Sequence, residues 1–168
     1  MDWGRGDLFQ NIHRADELYA YLEGMIKKGN HGKPYFRENL GIHFNISHSG
    51  VYGACALSFI PCGLDIQEVR KVRSRKMLER VLSREEQELV QKAQNPEVEF
   101  CRFWARKESF LKLSGDGITR SMRDLEQPGW YQEFQVDSQV LGCICAGEHF
   151  QVSIQQVPQE KFFQRFLV

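Results

Sequence analysis

The chain has 168 residues, of which 42% are hydrophobic and 26% are charged, the composition of an ordinary globular protein. This length accommodates one domain with a full core, or two small lobes that share one. Lys plus Arg and Asp plus Glu both number 22, so the formal net charge is zero. A neutral chain has no overall attraction for nucleic acid, and any charged partner must meet a local patch.

The sequence lacks the features of a secreted or membrane protein. Its five cysteines are an odd number without Cys-x-x-Cys spacing, so we interpret them as reduced thiols rather than zinc ligands or disulfides. The opening MDWGRGDLFQ has no apolar signal core, and no run approaches the ~18 apolar residues of a membrane span. We therefore expect a soluble, cytoplasmic protein.

Hydrophobic periodicity divides the chain into helical and extended segments. Apolar residues recur at helical spacing from Ala15 to Ile26, whereas the alternation from Ile42 to Ser47 is typical of a half-buried strand. Ser83 with Glu86 forms a capping box, and Asn95-Pro96 puts proline at the tolerated first position of a long helix. In chain order we predict a helix at 15–26 with stop signals at 27–30, a turn at 31–34, and strands at 42–47, 51–59 and 64–69. We then predict a helix around 77–82, a second helix that begins at 83 and a third at 96–113. Strands follow after 130. Strands before and after a central helical block indicate an α+β fold.

Two extended segments carry polar residues in unexpected places. In the hairpin Asn45-Ile46-Ser47-His48-Ser49-Gly50, an imidazole, two hydroxyls and a glycine could meet a ligand, although a plain polar turn is the commoner explanation. In Gly63-Leu64-Asp65-Ile66-Gln67, alternation puts Asp65 and Gln67 on one face. Aspartate is disfavoured in strands, so it indicates either a metal ligand or an edge strand with one solvated face.

The long predicted helix carries a third polar group. Trp104, Glu108 and Lys112 follow at intervals of four residues and therefore share one side, next to apolar Phe100 and Leu111. Taken alone, Glu108 and Lys112 could be a surface ion pair worth only ~0.3–0.5 kcal/mol. Taken with the other two segments, they complete a set of two carboxylates, a lysine and a His-Ser turn. Such a set suits Mg²⁺, or Mn²⁺, together with a diphosphate.

Four ordered motifs make the sequence recognisable: GKPYF at 32–36, FNISHSG at 44–50, GLDIQ at 63–67 and FWARKESFLKLSGDGI at 103–118. Together they resemble the 4′-phosphopantetheinyl transferases of the Sfp type, from about His13 to Ala146. The resemblance implies antiparallel strands packed on a central helical block, in pseudo-twofold lobes. Residues 1–60 would form a truncated N-terminal lobe and residues 61–168 a C-terminal lobe with the metal site, within one compact domain.

The resemblance also implies an activity. An enzyme of this family moves the 4′-phosphopantetheine arm of coenzyme A to a serine of an apo carrier protein and releases 3′,5′-adenosine bisphosphate, with Mg²⁺. By that resemblance Glu108, Asp65 and Lys112 are catalytic, and Glu108 acts as the base directly or through a water. The resemblance further implies that Asp65 and Glu108 bind the metal and that Lys112 contacts the coenzyme A diphosphate. Ser47 and His48 would contact its phosphates, and Arg14 would contact a further phosphate. Lys33 and Pro34 would lie along the adenosine 3′-phosphate end.

Two features depart from the family pattern. Gln67 stands where Sfp-like members usually have glutamate, so we expect a weak metal contact, through a water, and a lower metal affinity. About 31 residues precede GKPYF, against more than twice that number in Sfp-like members, which leaves coenzyme A binding and the choice between monomer and dimer open.

The carrier partner has a predicted contact surface. Residues 70–80, RKVRSRKMLER, contain six basic residues and one acidic residue, and carrier proteins of this family are acidic around their serine. A solvated helix start is the commoner explanation for such a run. Two rival functions also remain: a degenerate, non-catalytic coenzyme A-binding module of the same fold, and a small Mg²⁺-dependent phosphohydrolase. No nucleic acid or membrane partner is predicted.

Overall fold

The computed structural model describes residues 24–29, 31–38, 40–71, 74–117, 122–125 and 127–158. Their elements, in chain order, are β1 (Ile26–Lys28), β2 (Pro34–Phe36), β3 (His43–Ser49), β4 (Tyr52–Ser58), β5 (Cys62–Glu68), α1 (Arg75–Val81), α2 (Arg84–Lys92), α3 (Pro96–Ser114), β6 (Trp130–Gln135) and β7 (Val140–Ala146). Antiparallel strands precede and follow a helical block in the sequence, which confirms the predicted α+β class. The pseudo-twofold lobes and their boundary at residue 60 stay predictions.

The largest sheet of the described structure has three antiparallel strands in the order β5-β7-β6. Its central strand β7 pairs Cys143 with Asp65 of β5 on one side and with Glu133 of β6 on the other. Strands β3 and β4 form a separate hairpin, whose turn passes through Gly50 at a positive φ of 58°. Strands β1 and β2 form a second small hairpin.

Helix α3 lies against β5 at very short range. A Cβ at Gly63 would lie 1.8 Å from the carbonyl oxygen of Ser109 and 2.6 Å from the backbone nitrogen of Leu113. Only glycine allows two backbones to approach so closely. The glycine of the GLDIQ motif therefore sets the distance between the strand that carries Asp65 and the helix that carries Glu108 and Lys112.

The outer edge of β5 is covered by side chains of β3. The backbone N–H groups of Leu64, Ile66 and Glu68 donate to Asn45 Oδ1 at 3.1 Å, Ser47 Oγ at 3.1 Å and Ser49 Oγ at 2.9 Å. Every second residue of β3 thus satisfies every second amide of β5, as the two-residue period of strands allows. The alternative of an edge strand with a solvated face is wrong for β5, because Asp65 is only 3% exposed.

Two apolar clusters flank the three-stranded sheet. The larger lies between the sheet and the three helices and includes Leu82, Phe100, Ala105 and Cys143. The smaller lies on the other face, where Ala56 of β4 packs against a group from β5 and β7 that consists of Cys62, Leu64 and Ile144. The sheet is therefore buried on both faces, which holds β5 and its polar residues in a fixed position.

The predicted helix boundaries of the central block are confirmed. Ser83 Oγ accepts from the backbone N–H of Glu86, whose carboxylate accepts in return from the Ser83 N–H, so the capping box at α2 is complete. Pro96 begins α3, and Gly115 ends it in the left-handed conformation with a φ of 79°.

The predicted helix at 15–26 is wrong at its end. Residues 15–23 lie outside the described part of the chain, and residues 24 and 25 are helical. Ile26–Lys28 is instead strand β1, paired with Pro34–Phe36. The turn between them closes through the Gly29 N–H, which donates to the Lys33 carbonyl at 2.9 Å. Pairing with β2 overrides the helical periodicity here.

The state of the cysteines and the character of the helices complete the description of the fold. All five cysteines are free thiols, and all but Cys55 are buried. In the described segments, no helix combines the length and the apolar character needed to cross a bilayer.

Candidate functional site

The residues that the sequence singled out on β5 and α3 meet at the covered edge of β5. Asp65 Oδ1 accepts from Lys112 Nζ at 2.7 Å and from Ser47 Oγ at 2.9 Å. Lys112 Nζ also donates to Ser47 Oγ at 2.9 Å. Three elements far apart in the sequence are thus joined through a carboxylate, an ammonium and a hydroxyl.

Glu108 lies one helical turn before Lys112 and is 8% exposed. Burial, and after it the charge of Asp65, raise the pKa of Glu108 to about 7, with Lys112 acting in the opposite direction. Its Oε1 atom is buried and has no hydrogen-bond partner within the part of the chain that the structure describes. A buried oxygen without a partner costs free energy and calls for an explanation.

Gln67 lies on the same face of β5 as Asp65. Its Nε2 donates to Asp65 Oδ2 at 2.9 Å, so both carboxylate oxygens of Asp65 have donors. The amide cannot supply the negative charge that a glutamate would bring. The predicted weak contact of Gln67 to a metal, through a water, stays a prediction.

The carboxylate oxygens of Asp65 and Glu108 are suitable ligands for a hard divalent cation. Mg²⁺ takes oxygen ligands and usually binds through one or two carboxylates, with waters and substrate phosphates completing its shell. The unpartnered Oε1 of Glu108 and the carboxylate of Asp65 supply such a pair. Among the described residues, no three or more His, Cys, Asp or Glu side chains form a metal cage. The remaining ligands of a bound ion would therefore come from water and substrate.

The predicted pair Ser47 and His48 is split between two faces of β3. Ser47 is buried, and its hydroxyl contacts Asp65, Lys112 and the Ile66 N–H. His48 is exposed on the opposite face of the hairpin, as the alternation of a strand requires. The structure therefore brings only Ser47 into the cluster, and a phosphate contact by either residue stays a prediction.

The residues predicted at the adenosine end include Lys33, which lies next to the last turn of α3. Lys33 Nζ donates to the Leu113 carbonyl at 2.9 Å, and burial lowers the pKa of this lysine. Lys33 and Pro34 also line a cavity of about 270 Å³, together with Arg37 and Cys62. Leu113, whose carbonyl Lys33 contacts, follows Lys112 in α3. Arg14, the remaining predicted phosphate contact, lies outside the described residues.

Sequence reasoning gave no role to Asn45, although the structure places it beside the cluster. Its Oδ1 accepts from the Leu64 N–H at 3.1 Å, and its Nδ2 donates to the Lys112 carbonyl at 3.4 Å. It therefore joins β3 to both β5 and α3. An asparagine inside a strand is as unexpected as Asp65, and that signal could have identified it.

Lys107, next to Glu108 in the chain, was also missed. It is 1% exposed, and its Nζ donates to Glu86 Oε2 at 2.7 Å and to the Met122 carbonyl at 3.0 Å. Glu86 Oε2 accepts in addition from the Ser83 N–H at 2.7 Å. The capping carboxylate of α2 thus also neutralises a buried lysine of α3, and no pattern in the sequence indicated this pairing.

The basic segment 70–80 follows β5 directly and continues into α1. Among its described residues, Arg75 and Lys76 are exposed, and Arg75 pairs with Glu79 at 2.9 Å. Arg70 pairs with Glu68 at the end of β5. Val72 and Arg73 lie outside the described residues. The segment therefore presents positive charge to solvent within a few residues of Gln67.

The part of the chain that carries β5 and α3 matches a known family. Residues 61–154, more than half of the chain, match the sequence model of the 4'-phosphopantetheinyl transferase superfamily. The chain belongs to this superfamily. This result confirms the family and the class of enzyme predicted from the sequence. The matched range contains β5, all three helices, β6 and β7, and thus both Asp65 and Glu108.

Individual relatives extend the similarity. The chain is 32% identical over 167 residues to 4'-phosphopantetheinyl transferase psf-1 of Bacillus pumilus, covering 83% of this chain and 71% of the relative. It is 38% identical over 96 residues to 4'-phosphopantetheinyl transferase gsp of Aneurinibacillus migulanus, 56% of this chain and 39% of the relative. It is 28% identical over 135 residues to 4'-phosphopantetheinyl transferase Sfp of Bacillus subtilis, 69% of this chain and 60% of the relative.

Removing the charge of Glu108 should stabilise the metal-free protein. The folded pKa of about 7 exceeds the unfolded value of 4.5, so the folded state loses stability as pH rises between these values. We expect Glu108→Gln to raise the melting temperature at pH 8 in EDTA by roughly 3–6 °C, equivalent to about 1–2 kcal/mol, and by less at pH 5. Differential scanning calorimetry at the two pH values measures this.

Glu148→Gln is the matched control, because Glu148 is exposed in the turn after β7 and should change neither melting temperature. A lower melting temperature for Glu108→Gln at pH 8 would contradict the assignment of Glu108 as a strained, buried carboxylate.

Proposed function

We propose that this protein transfers the 4′-phosphopantetheine arm of coenzyme A to a serine hydroxyl of an apo carrier protein, with a divalent cation. The observation that carries the proposal is the ion pair of Asp65 with Lys112, one helical turn from Glu108. The charge of Asp65 helps to raise the pKa of Glu108, and the buried Oε1 of Glu108 has no partner among the described residues. Family membership supports the same reaction class. The chain spans 71%, 39% and 60% of the relatives described above, so its activity as a whole remains a proposal.

The proposed reaction replaces the phosphoanhydride bond of coenzyme A with a phosphate ester to serine. The serine oxygen forms a bond to the β-phosphorus of coenzyme A, and the bond from that phosphorus to the bridging oxygen breaks, which releases 3′,5′-adenosine bisphosphate. The serine proton goes to a base, for which we propose Glu108, directly or through a water. Little covalent chemistry falls to the protein, so its main tasks are positioning and charge neutralisation.

Each residue of the cluster has a proposed task. Asp65 and Glu108 would hold the cation, Mg²⁺ or Mn²⁺, which neutralises charge on the diphosphate when bound. Lys112 would donate to diphosphate oxygens from the side of α3. Ser47 would fix the carboxylate of Asp65, and Gly63 would keep the two carboxylate-bearing elements at their short distance.

The adenosine end of coenzyme A would extend towards β2. Lys33 and Pro34 line a cavity, and Lys33 contacts the last turn of α3, which supports placing the 3′-phosphate end there. Ser47, His48 and Arg14 stay proposed phosphate contacts. A cytoplasmic location and a monomer or dimer likewise stay predictions.

A non-catalytic coenzyme A-binding module is the second candidate function. The neutral Gln67 favours it, because one carboxylate fewer weakens a metal site. Against it stands the cost of burying Glu108 without a partner for one oxygen, since a module that only binds gains nothing from this strain. A phosphohydrolase would not need the exposed basic segment.

One assay separates these functions. The protein is incubated with coenzyme A, Mg²⁺ and an apo carrier protein, and the carrier mass is measured. We expect phosphopantetheine addition, and Asp65→Ala and Glu108→Gln should each lower its rate by at least about 100-fold while the protein stays folded. Glu88→Gln, in an exposed residue of α2, is the control that should retain the rate.

Near-normal turnover in either site variant would refute the assignment of these carboxylates. Coenzyme A binding without carrier modification would favour the module, and loss of coenzyme A in the absence of carrier would favour the hydrolase.

The basic segment 70–80 is the proposed docking surface for the carrier. Arg75 and Lys76 are exposed at the start of α1, soon after the strand that bears Asp65. An acidic carrier approaching this surface would bring its serine towards the cluster. Long-range attraction between opposite charges raises the association rate and weakens with salt.

Charge reversal tests the docking surface. We expect Arg75→Glu with Lys76→Glu to raise the carrier KM by at least about 5-fold and to leave the coenzyme A KM unchanged, because opposite-charge steering becomes repulsion. Steady-state kinetics at two salt concentrations measures both constants. Lys92→Glu, at the far end of α2, is the matched control. An unchanged carrier KM in the double variant would dismiss this surface.

A further inference from the structure

Lys112 occupies the position where a cation would meet Asp65. Its ammonium lies 2.7 Å from Asp65 Oδ1 and 2.9 Å from Ser47 Oγ, and Asp65 is buried. The lysine is thus the counter-ion that allows this carboxylate to be buried. An ionised carboxylate inside a protein needs such a partner, because its desolvation is otherwise uncompensated.

A divalent cation and this ammonium compete for the same carboxylate. Positive charges that share one oxygen at short range repel strongly in a partly buried site. A cation that binds Asp65 and Glu108 therefore requires Lys112 to leave Asp65. The released ammonium would then be unpaired, which makes metal binding alone unfavourable.

Coenzyme A supplies the anion that the released lysine needs. A diphosphate can replace the carboxylate as partner of the ammonium, because its oxygens also accept charge-assisted hydrogen bonds. The cost of breaking the ion pair is thus recovered only when both ligands are present.

We infer that Lys112 exchanges Asp65 for the diphosphate when ligands bind, and that this exchange makes divalent cation and coenzyme A bind cooperatively. The inference rests on the proposed function, because it takes coenzyme A as the diphosphate ligand. By thermodynamic linkage each ligand must tighten the other by the same factor.

The local structure permits this exchange without moving the helix. The Lys112 side chain is 29% exposed and has a flexible stem with four carbons, so its ammonium can turn towards solvent. The backbone of Lys112 stays fixed, because its carbonyl accepts from Asn45 Nδ2 at 3.4 Å and Gly63 allows tight packing of α3. Only the ammonium needs to change partner.

Mn²⁺ titration without carrier protein tests the exchange. Free Mn²⁺ is followed by electron paramagnetic resonance, with and without saturating coenzyme A, after subtraction of the Mn²⁺–coenzyme A complex measured in buffer. We expect coenzyme A to tighten Mn²⁺ binding by about 10-fold or more. Equal Mn²⁺ affinities in the two titrations would overturn the inference.

Lys112→Met removes the ammonium and keeps most of the stem. We expect this variant to bind Mn²⁺ alone more tightly than the unaltered protein. The effect of coenzyme A should fall several-fold below that in the unaltered protein, to the part that direct coordination by phosphate oxygens supplies. Lys92→Met, on the exposed face of α2, is the control that should retain the full effect. Weaker or unchanged Mn²⁺ binding by Lys112→Met would overturn the inference.

The unaltered protein keeps the inference open to refutation even if Lys112→Met fails to fold, because equal affinities in its own two titrations would overturn it. A parallel transfer assay separates this inference from the proposed function. Transfer without cooperativity overturns the exchange alone. Cooperativity that is lost in Lys112→Met, without transfer, overturns the proposed function and supports the exchange.

Discussion

The ion pair between Asp65 and Lys112, closed by the hydroxyl of Ser47, is the interaction on which the site depends. It joins a strand, a helix and a hairpin that are separated by tens of residues. Such a pair is buried only where several donors and acceptors meet together. The β3 side chains that cap the β5 amides, and the close contact of α3 at Gly63, both bring these groups into register.

The position of Glu108 lowers the stability of the metal-free protein, although the proposed function needs this carboxylate. Glu108 is buried, one of its oxygens has no partner among the described residues, and the charge of Asp65 acts on it, all of which disfavours its charged form. Strain of this kind concentrates at functional sites and is tolerated because the surrounding structure is rigid. Here the rigidity comes from a sheet buried on both faces and from Lys107, which ties α3 to the cap of α2.

Elements with local signals were predictable from the sequence, and contacts between elements were only partly so. Three elements were predicted because each has a signal in its own sequence. Helix α2 has the capping box at Ser83, α3 begins with Pro96, and β5 has the alternation around Asp65. Ile26–Lys28 was misassigned, because pairing with β2 is non-local. The pairing of Lys107 with Glu86 has no local signature. The separation of His48 from Ser47 follows from strand alternation and could have been inferred once β3 was predicted.

The central claim is that Asp65 and Glu108 together form a cation site at the edge of β5. Anomalous diffraction from crystals of the protein with Mn²⁺ and coenzyme A tests it most directly. The account predicts an anomalous peak between these two side chains, with a carboxylate oxygen from each at roughly 2–2.5 Å. A peak that contacts neither carboxylate, or only one of them, would contradict it.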